Sequence, residues 1–305
     1  MRVPVQPRML RWAADRAGLP EEVLHTRFKN YGGWLSGEAR PTLNQLQAFA
    51  RATYAPIGYF FLDTPPTISL PIPDFRTKSG DRPDEPSPDL LDTIFLCQQR
   101  QEWYADYVRS VGPPTPAFVG TLTIRDDVEA AAARIRGVLG LEPSLQRLQR
   151  TWEDALTQLI RRADDAGVLV MVSGVVGGNN TRKLDPHEFR GFALCEVTAP
   201  LVFVNGADTK SAQMFTLAHE LAHLWLGESA LSDSTVAQSA PIGVERWCNR
   251  VAAEVLVPIA QFRDDYRPRE PVDAEMQRLA RLFKVSTLVI LRRMYDANGM
   301  SRARF

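Results

Sequence analysis

Residues 215–227 read FTLAHELAHLWLG, and the rest of the chain is best read outward from them. Positions i and i+4 of a helix lie on one face, about 6 Å apart at the β-carbons. His219 and His223 therefore reach one Zn²⁺ at roughly 2.0–2.1 Å each. Glu220 projects about 100° further round the helix, beside such a metal. There it can hold a water whose pKa zinc brings toward about 7, and take its proton as the water attacks a carbonyl. Ala218 and Ala222 are small, and Leu217, Leu221 and Leu224 give the helix a core face. That makes it too apolar for a solvated surface helix.

A catalytic zinc needs a third protein ligand and an open position. No histidine follows at the HExxHxxGxxH spacing, so a carboxylate is expected. The first candidate is Glu245, in ERWCN at 245–249, where a second helix carries a glutamate and a polar residue four places on. Its plain alternative is a helix-start acid, favoured beside the helix dipole. Asn249, one turn later, is placed to hydrogen-bond a ligating imidazole. Glu254 is the second candidate, with a pairing to Arg250 as its alternative; Glu228 and Asp233 remain behind it. His187, in a polar segment between strands, is the candidate transition-state stabiliser, with Arg190 and Tyr266 as weaker ones. Leu201–Asn205 reads either as an edge strand that an extended peptide joins or as an interior strand. Asp74, Phe75 and Arg76, after Pro73, read as a brace or lid across the cleft, or as plain linker.

The 305 residues suffice for two domains at about 150 residues each. Apolar residues at 45% and charged residues at 24% are ordinary for a globular protein and exclude a disordered or collagenous chain. No apolar run approaches the roughly 20 residues of a membrane span, and the charged, amphipathic first residues do not read as a secretory signal. Cys97, Cys195 and Cys248 cannot all pair and show no CxxC spacing, which fits a reduced, cytoplasmic setting. Residues 1–62 hold eight basic and four acidic side chains, and residues 273–305 seven and three. The ends are mildly basic around an acidic centre, so the whole chain has no pull toward nucleic acid.

Periodicity and punctuation give an α+β, mostly helical chain. Short helices fill 7–62, with Pro7 in a first turn and Thr42 as a cap. Proline recurs through 65–88 and resists helix, giving a connector. Helices are expected at 89–111, 125–139, 146–166, 209–226 and 245–256, the last stopped by Pro258. Strands are expected from Gly167, from Gly191 and at 201–205, with 177–180 as a break. The tail from 273 reads as two helices round Lys284-Val285-Ser286. The expected division is a small helical domain at 1–63, a connector at 64–88 and a metallopeptidase domain at 89–305 with a helical tail at 273–300.

Residues 165–300 resemble the ImmA/IrrE metallo-endopeptidase domain, through VFVN, FTLAHELAHLWLG, ERWCNRVAAEVLVP and LARLFKVSTLVILRRM. The front half, through AGLPEEVLHTRF, WLSGEARPTLNQLQAFARAT, PIGYFFLDTPP and PIPDFRT, is similar to the subgroup with a lambda-repressor-like helix-turn-helix. The resemblance implies a zincin-like peptidase domain with a small β-sheet and an HExxH helix. It implies His219, His223 and Glu245 as zinc ligands and Glu220 as general base, and a partner transcriptional repressor as substrate, cut to induce stress-response or mobile-element genes. His-His-Glu suits Zn²⁺; Mn²⁺ and Co²⁺ are the alternatives, since geometry and supply decide selectivity. One departure stands out. Between Gly18 and Gly37 the stretch is about four residues shorter than the helix-turn-helix pattern, and Tyr31-Gly32-Gly33-Trp34 fills the place of the recognition helix. Two glycines in a helix each cost about 1 kcal/mol against alanine, and few side chains remain to reach base edges. DNA binding by this segment is therefore doubtful, and a packing or protein-recognition module is expected. The competing readings are a DNA-binding regulator and an antitoxin-like interaction protein, each with a vestigial or structural metal site.

Overall fold

The computed structural model describes residues 1–74, 85–112, 115–142, 148–232 and 243–297. The chain divides into two compact units, Met1–Pro71 with Asp81–Thr93, and Ile72–Gly80 with Ile94–Phe305.

The first unit holds α1 (Pro7–Arg16), α2 (Glu21–Arg27), α3 (Tyr31–Ser36), α4 (Leu43–Ala52) and a 3-10 turn at Ile57–Phe61. Pro7 occupies the first turn of α1, where its missing N–H costs nothing. Thr42 and Gln45 form a reciprocal capping box at α4. The glycine-rich stretch becomes a helix of six residues. Tyr31 stacks on Phe49 at 5.6 Å, and Trp34 meets the same ring edge-on at 6.3 Å. Burying these two aromatics offsets the glycines' propensity cost. The glycines have a packing reason as well. A β-carbon at Gly32 would lie 3.2 Å from His25 Cε1, and one at Gly33 would lie 3.3 Å from Ala39 Cβ.

The second unit is α+β. The long helix α5 (Pro88–Val111) crosses the boundary between the units after Thr93. It is followed by α6 (Val128–Leu139) and α7 (Trp152–Asp165). The strands are β1 (Leu169–Ser173), β2 (Val175–Val176), β3 (Asn179–Lys183), β4 (Gly191–Leu194), β5 (Leu201–Asn205) and β6 (Ala230–Ser232). Four of them form a mixed sheet in the order β1-β5-β4-β6. β1 runs parallel to β5, and β4 runs antiparallel to both β5 and β6. β2 and β3 make a separate hairpin, where the sequence suggested only a break. Its two-residue turn is Gly177-Gly178, with φ of +53° and +81°. Positive φ at both positions matches the twist of a hairpin.

The edge-strand reading of Leu201–Asn205 is overturned. β5 is interior, with β1 on one side and β4 on the other. Every residue from Leu201 to Asn205 is buried, as suits a strand covered on both faces.

The HExxH segment lies in α8 (Lys210–Leu226), which packs on β4 and β5. Thr209 caps it by accepting the N–H of Ala212, and Gly227 ends it in the left-handed conformation, φ +73°. Residues 213–225 of this helix are all buried. Against it lies α9 (Gly243–Leu256), followed by α10 (Ile259–Asp265), α11 (Val272–Phe283) and α12 (Thr287–Asp296). Lys284, at φ +56°, turns the chain between the last two helices. Leu279, Phe283, Val285 and Ile290 are core residues, and residues 298–300 of the expected tail lie outside the described ones. Among the described residues no helix is long and apolar enough to cross a membrane.

Candidate metal centre

Helical spacing puts His219 and His223 on one face of α8, and both rings are wholly buried. Their Nε2 atoms are 3.1 Å apart. Glu245 enters from the first turn of α9, with Oε2 3.2 Å from His219 Nε2 and Oε1 3.0 Å from His223 Nε2. The ligand atoms of these three side chains all lie within 4.8 Å of one another, the group of this kind found among the described residues. A tetrahedral ion with bonds of about 2.0–2.1 Å holds its ligand atoms about 3.3–3.4 Å apart. The observed triangle is within a few tenths of an ångström of that.

Protonation makes the same point. Asn249, one turn beyond Glu245 on α9, places Oδ1 3.0 Å from His219 Nδ1. An amide oxygen only accepts, so Nδ1 carries the hydrogen and the neutral ring presents a bare lone pair at Nε2. That lone pair faces a second imidazole nitrogen and a carboxylate, all out of contact with water. Burial alone would raise the Glu245 carboxyl, but His219 and His223 outweigh it and hold it far below the usual carboxylate range. Burial pulls His219 down, yet Glu245, Glu220 and Asn249 push it above its ordinary value. His223 falls, mainly through burial and with His219 adding to it, against Glu245. The pocket thus attracts positive charge between two imidazoles and an anion, which is the donor set and field a divalent cation fits.

If Asn249 fixes the His219 tautomer, Asn249→Ala is expected to weaken metal affinity about 10- to 100-fold while the fold persists. A competition titration against a chelator of known affinity checks this, and parent-like affinity would remove Asn249 from the centre.

Glu220, next to His219, is completely buried. Gly191, the first residue of β4, lies against it. A β-carbon there would meet Thr216 Cγ2 at 2.5 Å, the Phe203 carbonyl oxygen at 2.8 Å and Glu220 Cγ at 3.3 Å. Sequence reasoning took Gly191 only as a strand start and missed this role. The available signal was a glycine inside a strand pattern, which often marks close approach of another group. Two cysteines flank the centre. Cys195 Sγ lies 3.7 Å from the His223 carbonyl oxygen, and burial pushes its thiol up to about 12. Cys248 is fully buried and its thiol is raised well above the ordinary value, by burial first and then by Glu245 and Glu220. Both stay protonated at neutral pH, unlike the thiolates that bind metals.

The other candidates lie elsewhere. Glu254 Oε2 pairs with Arg293 at 3.0 Å, and its Oε1 accepts the N–H of Ile259 at 3.0 Å. Its partner is therefore not Arg250, and it stands outside the converging group. Glu228 is exposed just past the end of α8. Asp233, Phe75 and Arg76 lie outside the described residues. His187 is exposed, its backbone N–H donated to Asp185 Oδ1 at 2.8 Å, and it is not one of the converging side chains. Arg190 lies 3.5 Å from Asp208, and Tyr266 stacks on Phe262 at 5.4 Å.

Residues 163–295 match the family model of the IrrE N-terminal-like domain, Peptidase_M78. The match supports a metallopeptidase-type domain of the ImmA/IrrE kind over that region, which contains α8, α9 and the whole converging group. No curated protein matches the chain.

Proposed function

We propose that this protein is a metal-dependent endopeptidase of the ImmA/IrrE type whose substrate is a helix-turn-helix transcriptional repressor. Cleavage would release stress-response or mobile-element genes. The carrying observation is the buried His219–His223–Glu245 triangle with Glu220 beside it. His219, His223 and Glu245 would hold the ion, Zn²⁺ being the one this donor set suits best. Once bound, the ion acts as a Lewis acid that polarises a peptide carbonyl and acidifies water. Glu220 takes the proton of the attacking water on its carboxylate and returns it to the leaving amide nitrogen. A structural metal site has no use for a base at that position. Asn249 keeps the His219 Nδ1–H aimed away from the ion. His187, at the surface, has no part in this mechanism.

The first unit acts in this reading as a protein-recognition module. Its six-residue α3 spends Tyr31 and Trp34 on the core, and its other members are two glycines, Leu35 and Ser36. None of these is a side chain that reads a base edge bidentately. A repressor substrate places the reaction in the cytoplasm.

The test is direct. Protein purified without chelator is expected to carry about one metal ion per chain and to cut a helix-turn-helix repressor of the same cell into two defined fragments. A chelator should stop the reaction and added Zn²⁺ restore it. A metal-free parent that takes up no zinc would end the peptidase reading.

A further inference from the structure

We propose that the outer edge of β6 is a docking edge for an extended peptide, held closed in the resting chain by the segment Ile72–Asp74. The identity of the occupant, a segment of the protein substrate, rests on the peptidase reading above.

β6 ends the four-stranded sheet, and its inner edge is used by β4. Leu231 sits opposite Phe192 but sends its N–H outward, where the Pro73 carbonyl accepts it at 3.0 Å. Asp74 lies alongside Leu231 in a parallel bridge. The chain itself thus shows that this edge accepts an extended backbone. An edge strand offers a row of backbone groups to any strand of suitable shape, and adding a strand is a common way to bind a peptide.

The strap is suited to leave. Pro71 and Pro73 hold it extended with little entropy to lose, but proline has no N–H to give to a ladder. A substrate strand without proline can make bonds that the strap cannot. Ile72, buried at 7% exposure, seats the strap. The edge is also near the chemistry. Ser232, at the end of β6, is opposite Gly191, the residue packed against Glu220. A peptide following β6 therefore runs toward the general base.

The experiment uses the full metal-loaded chain and Ile72→Asp, with Ile72→Ala as the milder variant should the first fail to fold. Exchange of the Leu231 amide hydrogen is expected to rise at least about tenfold in the variant, as a local opening, with metal content as in the parent. A labelled synthetic peptide of residues 67–74, TISLPIPD, is expected to bind the variant in the micromolar range and the parent at least about tenfold more weakly. Unchanged Leu231 exchange overturns the proposal. So does faster exchange without any gain in peptide binding, because the opened edge then takes no strand. Peptide binding needs no hydrolysis. If the peptide binds as expected and no repressor is cut, the docking edge stands and the peptidase reading fails.

Discussion

Glu220→Gln is expected to keep its metal and lose turnover by about 10²- to 10⁴-fold, the usual share of a positioned acid-base group. The amide matches the carboxylate in shape, so the packing against Gly191 survives. None of the converging ligand atoms is touched. What disappears is the oxygen that accepts a proton, since a neutral amide is no base at this pH. The measurement is paired: metal per chain by elemental analysis, and the rate of repressor cleavage on the same sample. Full cleavage by this variant would sink the mechanism. Loss of metal along with activity would show that Glu220 serves the site as a charge rather than as a base.

Glu245→Ala is expected to lose metal and activity together. Truncation removes the single anionic ligand and leaves two neutral imidazoles facing each other at 3.1 Å. A residue that only orients a ligand is worth about 10–100-fold in affinity, so removing a ligand should cost at least about 100-fold. Metal per chain should fall from about one to a small fraction after desalting. The depressed pKa of Glu245 adds a sign to this. Its two histidine neighbours keep that carboxyl ionised through the neutral range, so protons taken by the imidazoles are the expected route by which mild acid releases the metal. The two variants differ in one respect that decides between readings: metal stays with Glu220→Gln and goes with Glu245→Ala. Metal retained by Glu245→Ala would mean that another carboxylate serves as third ligand.

The part of the centre that was legible in the sequence is the part set by helical spacing. His219 and His223 face one way because four residues separate them, and Glu245 and Asn249 share a face of α9 for the same reason. What brings α9 onto α8 is tertiary packing, and the sequence could offer Glu245 only as the best of several acids. Strand order was the hardest to read. β5 is apolar at four of its five positions, which fits an interior strand, but only pairing with β1 and β4 settles its place. β6 has three residues, too few for a period to show, and the contact of Pro73 with Leu231 joins positions far apart in the chain. The Gly177-Gly178 turn was misread as an end because a pair of glycines marks both breaks and hairpins. In α3 the sequence showed the glycines' propensity cost, but not the packing of Tyr31 and Trp34 that offsets it.

The pairing of Glu254 with Arg293 bears on how the protein is made. Glu254 lies on α9, the helix that carries Glu245 and Asn249, and Arg293 comes from α12. Burial raises the Glu254 carboxyl more than Arg293 and its neighbours lower it, so this charge is unwelcome in the core without its counterion. Leaving one member of such a pair alone typically costs about 3–5 kcal/mol. On the ribosome, His219, His223 and Glu245 all emerge well before Arg293. Until α12 is made, Glu254 is left without its counterion on the same helix that carries Glu245 and Asn249. Truncation before α12 is therefore expected to loosen α9, and with it two of the side chains that converge at the centre.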